Sequence, residues 1–378
     1  MKDLRKQGCS RRATGRCSCV SDIQLPFIPN ALFRPIRNSL VKKKIKEIFL
    51  FVFLLNFIIV ELAWAKNYRS VAFVASSTQY DESKLEQIKQ AFEKKGYLVS
   101  MDYLNQSVSD FGYVNTDKSR ANALIAALLA KDIDILWMLR GGGGAINLIP
   151  QLYAAKNNLK KVKPKILVGF SDVTAIHYFL NTVLAWPSVH AVTALYNRET
   201  AKFYSSPIGL NDQENIPSIN NLLVKGVYYK QLIPLNPFAL MPTQGVLLGG
   251  NLTLLQTFFS TRYEHDFGNN IVILEDTGVS FRQLDRSLHQ LLYKPNFKPK
   301  AIIFGQFYSL DPTDEERLMY KTVLTAFAKQ TNIPVYYFPY FGHGRQNKAF
   351  ILGALAAIHC PEQQEYCVFK QPKLAFPH

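Results

Sequence analysis

The chain has 378 residues, 48% of them apolar and 19% charged. That is enough to bury cores over two globular domains, and it excludes disorder. The net charge of +16 is uneven, because residues 1–65 hold 12 basic and 4 acidic side chains and so carry half of the excess. The rest is mildly basic and has no Lys/Arg run interleaved with aromatics, which argues against nucleic-acid binding.

The leader comes first. Lys42, Lys43, Lys44 and Lys46 precede an apolar run from Ile48 to Val60, broken only by Asn56, and Ala63-Trp64-Ala65 follows. A charged region, a short apolar region and a small-x-small site describe an export signal cut after Ala65, leaving Lys66 as the new terminus. Left uncut, the same run would be an inner-membrane anchor, with membrane contact through the leader. Residues 1–40 are Arg-rich, contain Pro26, Pro29 and Pro35 and lack periodicity, so translation is expected to begin near Val41. The expected address is periplasmic. Cys9, Cys17 and Cys19 lie in the leader, and none of the five cysteines has zinc-site spacing. Cys360 and Cys367 could pair in an oxidising compartment and would be free thiols in the cytosol.

From Ser70 the pattern alternates strand and helix. Val71–Ala75 reads as a buried strand, Ser83–Lys95 as a helix stopped at Gly96, and Tyr97–Met101 as a short strand. Ala121–Ala130 reads as a helix, Ile133–Leu139 as a strand and Ala145–Leu152 as a short helix. The strand Lys165–Phe170 and the helix Asp172–Leu184 follow. This alternation predicts an α/β domain with a parallel sheet over residues 66–200. Residues 201–240, rich in Pro and Asn, read as an interdomain connection crossing a cleft. Residues 241–378 resume with strands at Gly245–Leu248, Asn270–Leu274, Ala301–Gly305 and Ile333–Tyr340. Helices at Phe281–Leu292 and Glu315–Lys329 separate them, and a final apolar segment follows.

Three polar residues stand directly after apolar strands: Ser171, Glu275 and His343. In a doubly wound sheet that position presents side chains to ligands. Together they supply a hydroxyl nucleophile, an imidazole base and a carboxylate to orient it. Gly169-Phe170-Ser171-Asp172 between strand and helix has the topology of a nucleophile elbow, although Val173 departs from G-x-S-x-G. A serine there equally suits a helix N-cap. The Asp172 amide, at a helix N-terminus, could donate to an oxyanion. His343, between two glycines, is the base candidate by position. His177 and His289 fall inside helices, and His190 falls near the cleft. Glu275 and Asp276 cannot be told apart from the pattern. The run Gly141–Gly144 lacks the Gly-Lys-Ser/Thr of a phosphate loop and the placement of a dinucleotide fingerprint. A second oxyanion donor or a tight turn remains for it.

At these residues the sequence resembles the LD-carboxypeptidases, serine peptidases that include muramoyltetrapeptide carboxypeptidase and the microcin C self-immunity hydrolase. The matching segments are Arg140–Ala145, Gly169–Ala175, Leu248–Leu252, Leu274–Asp276 with Arg282 and Asp285-Arg286, and Phe341–Gly344, spread over residues 70–358. The resemblance implies Ser171 as nucleophile, Glu275 as carboxylate and His343 as base. It also implies oxyanion amides at Gly142 and Asp172, and weaker substrate contacts from Arg140, Gly143, Asn251 and Arg282. It implies a flavodoxin-like N-terminal domain, a C-terminal swivelling β/α domain with a cleft between them, no metal or organic cofactor, and a homodimer. Gly143 stands where the family has an aromatic, Ser76 where it has Pro, and His190-Ala191-Val192 where it has His-Gly-Pro. The expected reaction is release of terminal D-alanine from a muropeptide tetrapeptide stem. The alternatives are a microcin-immunity-type amide hydrolase and a non-catalytic binder of cell-wall peptide.

Overall fold

The computed structural model describes residues 70–195 and 221–374, apart from 223, 309, 310, 345 and 363. The expected leader over 1–65, with its cleavage site and start near Val41, and positions 201–220 of the expected connection lie outside the described residues. The described residues belong to one compact unit, Ala65–His378.

The first half alternates as its sequence predicts. β1 (Ser70–Val74) is an unbroken apolar run from Val71 on, buried on both faces, as a central parallel strand requires. α1 (Leu85–Lys94) turns Ile88 and Phe92 inward and leads to β2 (Leu98–Ser100). α2 (Asp117–Leu129) starts where the Thr116 side chain accepts from the Ser119 amide. Then come β3 (Ile135–Met138), α3 (Ile149–Leu159), β4 (Ile166–Gly169), α4 (Thr174–Val183) and β5 (Ser188–His190). The strands lie in the order β2-β1-β3-β4-β5, all parallel, which is the flavodoxin-like arrangement.

The second half is a closed barrel. It comprises β6 (Val227–Pro234), β7 (Thr243–Asn251), β8 (Asn270–Glu275), β9 (Ala301–Phe304) and β10 (Val335–Tyr337), then β12 (Leu355–His359) and β13 (Cys367–Gln371). β7 through β10 run parallel, and β6, β13 and β12 close the ring antiparallel. α5 (Leu252–Gln256), α6 (Phe281–Tyr293) and α7 (Asp314–Lys329) connect the parallel strands. β11 (Phe350–Leu352) leaves the barrel and pairs antiparallel with β5, so the C-terminal segment also completes the first sheet.

Three features differ from the sequence reading. Residues 227–234, read as irregular, are strand β6, because Val227 and Leu232 are buried and Pro234 falls at the strand's last position, where a missing N–H costs little. The final apolar segment is three strands rather than one element, turned by Gly353, which has φ +75°. β5 is only three residues long, too short for a periodicity to register. Cys360 and Cys367 are disulfide-bonded, joining the end of β12 to the start of β13. Among the described residues no helix is long and apolar enough to cross a membrane.

The halves meet at the start of α4. A Cβ on Gly250 would lie 2.5 Å from Thr174 Oγ1, so only glycine lets β7 approach this closely. The next amide, Asn251 N–H, donates to Thr174 Oγ1 at 2.9 Å. Tyr178 stacks on Phe258 at 3.8 Å between centroids and donates to the Tyr263 carbonyl. These contacts hold α4, which follows β4 and the Ser171 turn, against β7 and the segment after α5.

Candidate active site

Ser171 follows β4 on a single 3-10 turn, Ser171–Val173, ahead of α4. Its φ of +66° is in the left-handed region, which a non-glycine residue occupies only under constraint. The constraint is packing. A Cβ on Gly169 would lie 2.9 Å from Met138, and one on Gly141 would lie 3.1 Å from Ser171 Cβ. Side chains at either place would push the turn away, so the two glycines permit the strained serine.

Glu275 ends β8 and is fully buried. His343 follows β10 on the Phe341–Gly344 loop. Its Nδ1 meets Glu275 Oε2 at 2.5 Å, and its Nε2 lies 2.9 Å from Ser171 Oγ. A carboxylate on Nδ1 places the proton there and leaves Nε2 to accept from the serine. Burial alone would pull the His343 pKa down. The charge and hydrogen bond of Glu275, with the charge of Asp276 behind them, outweigh burial and hold it above the ordinary 6.5. Gly342, at φ +110°, makes room, since a Cβ there would lie 2.8 Å from Glu275 Cβ.

Asp276, indistinguishable from Glu275 in the sequence, points elsewhere. Its carboxylate accepts from Asn251 Nδ2, the Thr253 amide and hydroxyl, and the Thr277 amide. It therefore anchors the start of α5. Asn251 is its partner there: the side chain is buried, caps α5 by accepting from the Leu254 amide, and donates to Asp276. The structure thus gives Asn251 a structural role at the start of α5, with one N–H and one lone pair of its amide used by these bonds.

The glycine run lies beside the serine. Thr78 Oγ1 donates to the Gly141 carbonyl at 2.8 Å. In a trans peptide the following N–H points the opposite way, so the Gly142 amide faces away from Thr78. The Asp172 amide precedes the first donor bonded within its turn, Val173 N–H to the Phe170 carbonyl. The Asp172 side chain is buried and accepts from the Ala145 amide at 2.9 Å, tying the glycine run to the serine turn. Burial raises its pKa, against the pull of Ser77, the Ala145 amide and Arg120. Gly143 is half-buried beside the Tyr113 ring.

Arg140 donates to the Gln79 carbonyl at 2.6 Å, and partial burial lowers its pKa. Arg282 is exposed in the first turn of α6, its guanidinium over the Phe281 ring at 4.6 Å, and no contact joins it to the triad among the described residues. His190 is fully buried against Phe341, behind His343 rather than open to a cleft. Burial, with His177 and His343 nearby, holds its pKa well below the ordinary value. His177 is a core histidine, bonded to Ser188 and the Gly169 carbonyl, and burial lowers its pKa to about 4. Among the described residues no group of three or more His, Cys, Asp and Glu is placed to hold a metal.

Sequence reasoning missed Thr78, Arg120 and Asn347. Thr78 carried a faint signal, a polar triplet Ser76-Ser77-Thr78 directly after β1. Asn347 carried none, yet its Oδ1 accepts the Gly342 amide at 3.1 Å and so fixes the loop bearing His343.

The geometry suits acyl transfer, and comparison with known proteins agrees. The model of the LD-carboxypeptidase N-terminal domain matches residues 71–191, and that of the LD-carboxypeptidase C-terminal domain matches residues 244–358, together more than half of the chain. The chain belongs to the LD-carboxypeptidase family. A protein of Rickettsia prowazekii (strain Madrid E) named as a carboxypeptidase is 36% identical over 259 residues, 67% of this chain and 76% of that one. The murein tetrapeptide carboxypeptidase of Pseudomonas aeruginosa is 28% identical over 249 residues, 64% of this chain and 78% of that one. The crystal structure of muramoyltetrapeptide carboxypeptidase from Oxalobacter formigenes shares the fold. It has a TM-score of 0.67 at 21% identity and covers 80% of this chain and 98% of that one. As an LD-carboxypeptidase the chain is a serine peptidase, with an N-terminal parallel sheet and a C-terminal barrel.

Proposed function

We propose that this LD-carboxypeptidase releases the terminal D-alanine from muropeptide tetrapeptide stems through an acyl-enzyme. The observation that carries the reading is the relay Glu275–His343–Ser171, with contacts of 2.5 and 2.9 Å. His343 Nε2 takes the Ser171 proton as Oγ attacks the scissile carbonyl. The amides of Gly142 and Asp172 receive the developing oxyanion. Collapse breaks the C–N bond, and His343 returns the proton to the leaving amine of D-alanine. Water then attacks the ester with His343 again as base, which frees Ser171 and the tripeptide. Glu275 keeps the proton on Nδ1 and stabilises each imidazolium. Incubating the purified chain with tetrapeptide muropeptide should give D-alanine and tripeptide in equal amounts. Absence of D-alanine, with cleavage of an aminoacyl-sulfamoyl nucleotide instead, would assign the enzyme to the microcin-immunity branch.

We also propose that the enzyme works outside the cytoplasm. Support comes from the basic and apolar pattern from Lys42 to Ala65 and from the Cys360–Cys367 pair, whose bond would persist only in an oxidising compartment. Sequencing the mature N-terminus should return Lys66, and denaturing thiol labelling should leave both cysteines unmodified. An intact leader with two reactive C-terminal thiols would refute export.

A further inference from the structure

The loop between β2 and α2 brings two aromatic rings to the edge of the site. Its tip is pinned by Ser107 N–H to the Val114 carbonyl at 2.8 Å, Ser109 N–H to the Tyr113 carbonyl at 3.0 Å and Gly112 N–H to the Ser109 carbonyl at 2.8 Å. It is also tied to the loop after β1 by a bridge between Thr78 and Tyr113 and by Gln79 N–H to the Gly112 carbonyl. Tyr113 lies over the glycine run, where a Cβ on Gly144 would fall 2.9 Å from its ring and one on Gly143 would fall 3.7 Å away. The fully buried Arg120 places its guanidinium over this ring, 4.6 Å from the centroid. Phe111 stacks with the same ring at 5.9 Å and 26°, and Phe111 is 83% exposed. The column Arg120–Tyr113–Phe111 thus ends in an open phenyl face on a hydrogen-bonded loop.

The reach of this column matches the substrate. A Cβ on Gly141 would fall 3.1 Å from Ser171 Cβ, and three residues later one on Gly144 would fall 2.9 Å from the Tyr113 ring. Three residues span at most about 10 Å. A tetrapeptide stem cut before its last residue also has three residues between the scissile carbonyl and the sugar that carries it. A stem lying along the glycine run would deliver its sugar to the aromatic column, where the apolar C–H face of the ring meets the negative face of an arene.

We propose that Phe111, backed by Tyr113, is a specificity residue that receives the sugar at the head of the muropeptide, so that glycan-bearing stems are preferred over free tetrapeptide. This rests on the muropeptide reading above. The test compares kcat/KM of the purified chain for muramoyl-tetrapeptide and for the free tetrapeptide, in wild type, Phe111→Ala and Phe111→Trp. Wild type should prefer the muramoyl substrate by roughly three- to tenfold, the size of one aromatic stacking contact. Phe111→Ala should bring the ratio to near one through KM, and Phe111→Trp should keep it. Equal turnover of both substrates by wild type, or a preference that survives Phe111→Ala, overturns the inference and leaves the muropeptide reading standing. Turnover of neither substrate overturns both.

Discussion

Exchanging each of the two adjacent carboxylates at the end of β8 for its amide should damage different properties. In Glu275→Gln the charge facing His343 Nδ1 at 2.5 Å disappears from a fully buried position. Unit charges about 4 Å apart in an effective dielectric of about 20 attract by about 4 kcal/mol. That attraction matters once the imidazolium forms in the transition state, so its loss corresponds to about 10³ in kcat. A glutamine that turns its NH₂ toward Nδ1 would also shift the proton to Nε2, where Ser171 needs an acceptor, which takes the loss toward about 10⁴. The fold should remain, because the amide is isosteric. In Asp276→Asn one oxygen and one NH₂ face four donors, so about two charge-assisted bonds are lost at about 1.5–3 kcal/mol each. Tm should fall by roughly 10 °C or more, while kcat per folded molecule should change far less than in Glu275→Gln. Initial rates of D-alanine release, normalised to active folded protein, and thermal unfolding followed by circular dichroism supply the two readouts. The reverse ranking, with Asp276→Asn slower per folded molecule and Glu275→Gln less stable, would refute the assignment of roles.

Three further outcomes follow from the same geometry. Ser171→Ala should lower turnover by about 10⁴–10⁶. Ser171→Gly should be equally inactive but about 1 kcal/mol more stable in denaturant melts than Ser171→Ala, because glycine relieves the φ of +66°; equal stability would mean the turn is not strained. In Gly142→Ala the new methyl would sit 2.2 Å from Thr78 Oγ1 at φ +115°, so the glycine loop must move and kcat should drop by about tenfold or more with the triad intact, and wild-type kcat would remove this loop from catalysis. The acid limb of kcat/KM should lie above pH 6.5, because the base works only when neutral and His343 is raised. Removing the negative partner lowers the His343 pKa, so the residual activity of Glu275→Gln should show that limb at lower pH, and an upward displacement would contradict the electrostatic cause.

How much of this was legible in the sequence depended on the range of the interactions involved. β1, β3 and β4 are apolar runs of four or five residues, buried on both faces, and such runs report their own burial. Ser171 and Glu275 stood out for the same reason: each is polar where an apolar strand stops, which in a parallel sheet is the ligand-facing edge, whereas His343 was placed by its apolar run and two glycines although β10 ends six residues earlier, at Tyr337. β6 and β11 did not stand out. One is half exposed and ends in proline, and the other is three residues long, so each becomes a strand only because a distant partner, β13 or β5, supplies its hydrogen bonds.

The choice between Glu275 and Asp276 is the sharpest case. Both are acids at the end of one strand, and nothing local separates them. Neighbouring residues of a strand face opposite ways, and which way leads to an imidazole depends on where the loop after β10 passes. That placement requires β8, β9 and β10 to be assembled in register, with Gly342 leaving space beside Glu275. Composition and local pattern therefore determined the α/β class and a short list of chemically able residues. Tertiary structure decided which of them touch, because a triad joining positions 171, 275 and 343 is a set of contacts between residues far apart in the chain, and only the packed halves bring them within hydrogen-bonding distance.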